Sequence, residues 1–279
     1  MVIQVVSASR RTDIPAFYAE WLLNRLRAGY CLTSNPFNPR QVTRVALAPG
    51  ETVLVLWTRD PRPLLPALPE LEGFRHYFLF TLTAYPRHLE PGLPPLGQLV
   101  ASFSRLSRLI GPRRVIWRYD PIILSRELDA AYHLQAFTAL ARALEGATER
   151  VVVSFLDPYP RVMRRLKVNR DPPDPDLLGR LAGIAGEHGI RLQTCAEGLE
   201  PEGKCVDDGL VSELSGVAVP ARKDPGQRPA CRCVASRDIG AYDTCLHGCL
   251  YCYATRGRAA RRNLARHDPR APWLLAPPD

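Results

Sequence analysis

The chemistry of this 279-residue chain is concentrated in eight cysteines, seven of which fall in its last third. Cys245, Cys249 and Cys252 stand in a Cys-x3-Cys-x2-Cys run. Three thiolates in so tight a loop can hold three irons of a cubane [4Fe–4S] cluster and leave one iron without a protein ligand. Zinc would instead ask for a fourth ligand to close its tetrahedron, which His247 or Cys233 could supply. Gly248 lets the backbone turn tightly beside such a centre, and Tyr251 offers it an aromatic wall. Cys195, Cys205, Cys231 and Cys233 match in number the ligands of a second, fully coordinated [4Fe–4S] cluster. Their x9, x25 and x1 spacing is not a ferredoxin pattern, and a structural zinc competes for them. Cys31 stands apart and reads as a small buried hydrophobe.

A second group of candidates lies where apolar runs end in polar residues. Ser7, Ser9, Arg10, Arg11, Thr12 and Asp13 follow the first run, and Arg59 and Asp60 follow Trp57. Arg118, Tyr119 and Asp120 end another, Ser154 and Asp157 the next, and Glu197 the last. Arginine pairs bidentately with carboxylate or phosphate, so Arg10, Arg11, Arg59 and Arg118 read as binders of an anionic substrate. Asp13 and Asp120 complete the candidate catalytic set, and Glu197 joins Gly248 and Tyr251 as a candidate cofactor contact. The competing reading is salt bridging of these arginines with Asp13, Asp60 and Asp120. The Asp-Pro pairs at 60–61, 120–121 and 157–158 are also ordinary turn chemistry.

The elements that must position these residues alternate. Strand-like runs at Val2–Ala8, Tyr77–Thr83, Arg114–Tyr119, Val151–Phe155 and Ile190–Thr194 are separated by helix-like stretches at Leu96–Ile110, Leu128–Leu144 and Pro175–His188. Thr12-Asp13-Ile14-Pro15 caps a helix over Pro15–Ala28, closed by Gly29. Val42–Leu47 and Val53–Trp57, split by Pro49-Gly50, read as a hairpin or as a strand extended by a loop. Alternating β and α units predict an α/β fold with a parallel sheet, as a partial or complete (β/α) barrel, whose active site lies at the carboxyl ends of the strands. Residues 1–200 form the barrel body. Residues 201–279, irregular over Pro201–Gly226, form a cysteine-rich segment completing the same domain. Arg256, Arg258, Arg261, Arg262 and Arg266 lie on one basic helix within Ala254–His267, either a solvated face or a phosphate contact.

Composition limits the classes. The net charge is +9, with 34 arginines and only three lysines. That skew reflects base composition or a warm habitat, or else a polyanionic partner such as nucleic acid. No apolar run reaches the roughly 20 residues of a membrane span. The start of the chain lacks the marks of a signal peptide, so a cytoplasmic location is expected. Clustered cysteines in that setting bind metal or do redox chemistry rather than form disulfides.

The run Cys245 to Cys252, with aromatic Tyr251 before the last cysteine, resembles the cluster motif of the radical S-adenosylmethionine superfamily. That resemblance implies S-adenosylmethionine chelating the open iron, one-electron cleavage to a 5′-deoxyadenosyl radical, and hydrogen abstraction from a substrate. It also implies an external electron donor such as ferredoxin or flavodoxin. In the superfamily the motif follows the first barrel strand, whereas here it follows the other units. A circular permutation accounts for this, with Val234–Tyr242 supplying or preceding the strand before the cluster loop and Val2–Ala8 acting as the second strand. The superfamily's Gly-Gly-Glu motif has no match after Ala8. Nearly the whole chain also resembles domain-of-unknown-function family 1848, found in bacteria and archaea. The residues are Ser9–Pro15, Asn35-Pro36-Phe37-Asn38, Trp117–Pro121 and Asp238–Cys245, and the family brings no activity with it.

The reading is therefore a radical S-adenosylmethionine enzyme with one or two [4Fe–4S] clusters. Its substrate is a small molecule or nucleic acid with anionic groups. Two other classes compete: a zinc- or cluster-stabilised nucleic-acid-binding protein, and an electron carrier. A hydrolase working through Asp13, Asp120, Asp157 and Glu197 leaves the cysteines unexplained.

Overall fold

Runs of β-branched and aromatic residues set the first level of the architecture in this computed structural model, which describes residues 2–166 and 176–277. Among these residues the strands are, in chain order, β1 (Gln4–Ala8), β2 (Tyr30–Asn35), β3 (Asn38–Ala46), β4 (Thr52–Thr58), β5 (Arg75–Thr81), β6 (Val115–Ile122), β7 (Arg150–Phe155), β8 (Arg191–Thr194) and β9 (Arg237–Asp238). The helices are α1 (Ile14–Phe17), α2 (Ala19–Ala28), α3 (Leu96–Ile110), α4 (Ala130–Leu144), α5 (Pro160–Met163), α6 (Leu177–Glu187), α7 (Asp208–Ser215) and α8 (Gly257–Ala265).

Seven strands form one sheet in the order β8-β7-β6-β5-β4-β1-β9. Every neighbouring pair in it is parallel. The α/β class with a parallel sheet and surrounding helices is thus the observed one. The two outer strands are β8 and β9. The shortest strand, β9, comes last in the chain yet pairs with the first, Val6 opposite Arg237 and Ser7 opposite Asp238.

Both faces of the sheet are buried, which is why its strands read as continuous apolar runs rather than alternating ones. One face (Val6, Leu54, Leu56, Phe78, Phe80, Trp117, Val153) packs against Leu99, Phe103 and Leu106 of α3, Phe137 and Leu140 of α4, and Leu181 of α6. The opposite face (Val5, Val53, Val55, Tyr77, Leu79, Ile116, Val152) is covered by Cys205, Val206, Leu210, Val211, Cys233 and Val234. Each fully buried Val, Leu or Phe contributes about 1.5–3 kcal/mol to this packing. The segment from Cys205 to Val234 is therefore held to the sheet by side chains, although its Pro- and Gly-rich sequence shows little periodicity.

Three elements differ from the sequence reading. The helix expected over Pro15–Ala28 is divided at Tyr18, whose backbone leaves the helical region and whose hydroxyl donates to Thr244 O at 2.7 Å. Val42–Leu47 and Val53–Trp57 do not pair with each other. Instead β3 forms an antiparallel hairpin with β2, while β4 enters the main sheet. Burial divides them: every residue of β4 is buried, whereas β3 is mostly exposed. Within Pro201–Gly226, read as irregular, Asp207 caps α7 by accepting from Gly209 N and Leu210 N. The helix read from Pro175 is seen as α6, and Pro175 itself lies outside the described residues. No helix among the described residues is long and apolar enough to cross a membrane.

Candidate functional site

The loop carrying Cys245, Cys249 and Cys252 follows β9. In a parallel sheet, that places it at the same carboxyl rim as the residues ending the other strands. Several bonds fix the loop. Gly92 N donates to His247 O at 2.9 Å and Leu250 N to Leu89 O at 2.9 Å, both from the connection after β5. A Cβ on Gly92 would lie 2.5 Å from His247 O, so only glycine admits this approach. Gly248 adopts φ +70°, the left-handed turn expected of it.

Rim residues then converge on the trio. Asp13 Oδ2 accepts from Arg59 N at 2.7 Å and lies 2.8 Å from His247 Nε2, while its Oδ1 caps α1 by accepting from Ala16 N. Arg59 Nη1 points at Cys249 Sγ, 3.6 Å away, and also donates to the Tyr251 hydroxyl. Its Nη2 pairs with Glu90 Oε1 at 2.6 Å and donates to Thr83 Oγ1 at 2.6 Å. Tyr251 and Thr83 both donate to Glu90. Burial opposes the charge on Arg59, but Glu90, Tyr251 and Cys249 outweigh it and raise its pKa well above the ordinary value. Burial pushes the Cys249 thiol up to about 11, with Arg59 pulling against it, and pushes Cys245 up strongly. Thiols so disfavoured as free anions become thiolates when a cation displaces their protons.

The remaining four cysteines form a second site against the face of the sheet covered by Cys205–Val234. The ligand atoms of Cys195, Cys205 and Cys233 lie within 4.8 Å of one another, with Cys205 Sγ 3.5 Å from Cys195 Sγ. Cys231 is buried in the same cluster. Val206 N donates to Cys233 Sγ at 3.3 Å. Cys195, then Cys205 and Cys231, lower the Cys233 thiol below its ordinary range.

Trp57 lies between rim and second site, under two guanidiniums: Arg118 at 4.8 Å and Arg10 at 5.4 Å from its ring. Burial opposes the charge on both, but nearby acids and cysteines prevail. Asp120 and then Cys205 and Cys195 act on Arg118; Cys233, Asp238 and Asp224 act on Arg10. Arg10 Nη2, Trp57 Nε1, Arg59 Nε and Arg118 Nε are buried donors without a hydrogen-bond partner among the described residues. An unmet buried donor costs about 1–3 kcal/mol, and an anion presented to such a group removes that cost.

The sequence candidates thus separate. Asp13, Arg59, Gly248, Tyr251, Cys245, Cys249 and Cys252 share the first site. Arg10 and Arg118 lie beside the second, and Asp120 pairs with Arg118 and accepts from Ser154. Arg11 is occupied by Asp238 through Nε at 3.1 Å. Glu197 accepts from Phe155 N at 3.1 Å, and burial raises its pKa. Cys31 is fully buried in the helix-facing core, as read. Of the α8 arginines, Arg256 pairs with Asp243, and Arg258, Arg261, Arg262 and Arg266 are exposed.

Two residues escaped the sequence reading. Glu90 sits in an aperiodic Pro-rich stretch where a lone acid carries no signal. Asp238 reads as a strand residue, yet it accepts from Ser9 Oγ at 2.6 Å, Arg10 N at 2.9 Å and Gly240 N at 3.0 Å.

The model of the family described as "Domain of unknown function (DUF1848)" matches residues 5–254. The chain belongs to this family. Comparison with curated proteins finds no match. Among solved structures, the chain is similar to a complete multifunctional pyruvate carboxylase from Rhizobium etli (13% identity, TM-score 0.32, 99% of this chain and 28% of that one). It is also similar to the carboxyl transferase domain of Rhizobium etli pyruvate carboxylase with pyruvate (16% identity, TM-score 0.25, 82% of this chain and 45% of that one). The chain therefore spans under half the length of either.

Proposed function

We propose that this chain is a radical S-adenosylmethionine enzyme whose [4Fe–4S] cluster is held by Cys245, Cys249 and Cys252, and which acts on a substrate bearing an anionic group. The observation that supports this reading is the place of the trio. It stands on a loop at the strand-end rim, where the buried Arg59–Glu90 pair and the Asp13–His247 contact converge on it. Three thiolates in one loop can seat three irons of a cubane and leave the fourth iron open. Strand order supports the same reading. The strand before the trio, β9, stands first in the spatial series β9-β1-β4-β5-β6-β7-β8. A circularly permuted (β/α) barrel with its cluster loop after the first strand would have this order.

When bound, the cluster and S-adenosylmethionine supply one-electron cleavage of the sulfonium carbon–sulfur bond and a carbon radical that takes a hydrogen atom from the substrate. The chain's own residues do the rest. Arg59 is a positioning residue: tied to Glu90 and Thr83, it sets its guanidinium against Cys249 and offsets thiolate charge there. Asp13 holds the loop through His247. Arg10, Arg118 and the Trp57 indole offer unmet donors to a carboxylate or phosphate. The apolar wall of Tyr85, Leu89, Ile123 and Tyr251 packs around Cys249 and reaches Cys252, limiting water on that side of the loop. The electron comes from an external donor such as ferredoxin or flavodoxin.

The test is anaerobic purification, then dithionite and S-adenosylmethionine with detection of 5′-deoxyadenosine. Cys249→Ala should abolish its formation. Formation of 5′-deoxyadenosine unchanged in that variant would refute the assignment.

A further inference from the structure

Three sulfurs of the second cysteine site lie close together. Cys195 and Cys205 stand 3.5 Å apart, and with Cys233 they fit within 4.8 Å. A tetrahedral ion with metal–sulfur bonds near 2.3 Å requires sulfurs about 3.8 Å apart. A cubane needs them spread over four separate irons. We infer that Cys195, Cys205 and Cys233 hold a single thiolate-bound divalent ion, zinc by ligand type, rather than a second cubane, with Cys231 closing on it as the fourth ligand.

The surroundings suit such an ion. Four thiolates on a divalent cation leave about two negative charges, and the buried guanidiniums of Arg10 and Arg118 are drawn to these cysteines. Val206 N points at Cys233 Sγ, the kind of amide contact that orients a metal-bound thiolate. Four protein ligands close the coordination sphere, so the ion's role is structural.

Chain topology says what it holds. Cys195 immediately follows β8, one outer strand of the sheet, and Cys233 lies four residues before β9, the other. Cys205 begins the segment that covers the sheet face, with its carbonyl accepting from the Tyr77 hydroxyl at 2.8 Å. The ion therefore clasps the connection between the two outer strands and fixes the segment leading into β9 and the cluster loop. This inference stands on the second site alone and does not depend on the proposed activity.

Metal analysis of the whole chain, purified anaerobically without added metal, tests it. About one zinc per chain should survive desalting, and Cys233→Ser should lower it at least about tenfold while iron per chain stays unchanged. Should that variant not fold, the wild-type chain exchanged with cobalt(II) should show the intense visible bands of tetrahedral thiolate coordination. Loss of about half the iron in Cys233→Ser would overturn the inference in favour of a second cluster. A Cys195–Cys205 disulfide in non-reducing peptide mapping, with no zinc, would overturn it too. Zinc present without 5′-deoxyadenosine formation would refute the proposed activity and leave the clasp standing.

Discussion

Arg59 Nη2 lies 2.6 Å from Glu90 Oε1, an ion pair whose side chains are only 12% and 5% exposed. The pair joins the carboxyl ends of β4 and β5 to the cluster loop, because Tyr251 bonds to both partners. Removing one member of such a pair strands a buried charge, at about 3–5 kcal/mol. Glu90→Gln should therefore lower the urea midpoint by that equivalent and reduce the iron retained per chain. Unchanged stability together with full iron retention would mean that the pair does not support the loop.

Asp238 gives a prediction in pH. Burial disfavours its carboxylate, but Arg11, Ser9 and the Arg10 amide outweigh burial and hold its pKa below 3.8 in the folded chain. A depressed carboxylate contributes fully above its unfolded pKa and loses that contribution as pH falls through the folded value. Asp238→Asn should cost about 3–5 kcal/mol at pH 7. The gap from wild type should narrow in urea titrations below pH 3.8. An equal gap at both ends would contradict this account.

Legibility followed length and period. Helix α3 was readable to the residue because Leu99, Phe103, Leu106 and Ile110 repeat along one face and stay buried there. The pairing of β3 with β2 was not readable, since the nine-residue β3 is mostly exposed and β2 only half-buried, and no core pattern sets their partner. The two-residue β9 joins the sheet through Ile239 N to Ser7 O and through Asp238, contacts across more than 220 positions that no local window contains. In the candidate site, the sulfur spacing announced the trio. Glu90 and Trp57 gained meaning only from neighbours distant in sequence.

Gly92 tests the approach of the loop. An added methyl would press on His247 O and Leu246 O. Overpacking of this kind costs about 1–3 kcal/mol. Gly92→Ala should lower both stability and iron content. Gly97→Ala, in α3 with open space at its Cβ, should be neutral or stabilising by up to about 1 kcal/mol. Iron loss in both variants alike would remove the loop argument.

His247 decides between an open and a closed first site. Its Nε2 is engaged by Asp13, and its Nδ1 is buried without a partner among the described residues. His247→Gln keeps a donor for Asp13, so iron at the trio should remain at about four per chain. Loss of the metal with this substitution would make His247 the fourth ligand.

Electron paramagnetic resonance of the dithionite-reduced chain, with and without S-adenosylmethionine, addresses the central claim most directly. A reduced [4Fe–4S] signal should appear and shift when S-adenosylmethionine is added, and Cys252→Ala should abolish both. A reduced signal indifferent to S-adenosylmethionine, or none in an iron-free protein, would contradict an open iron at Cys245, Cys249 and Cys252.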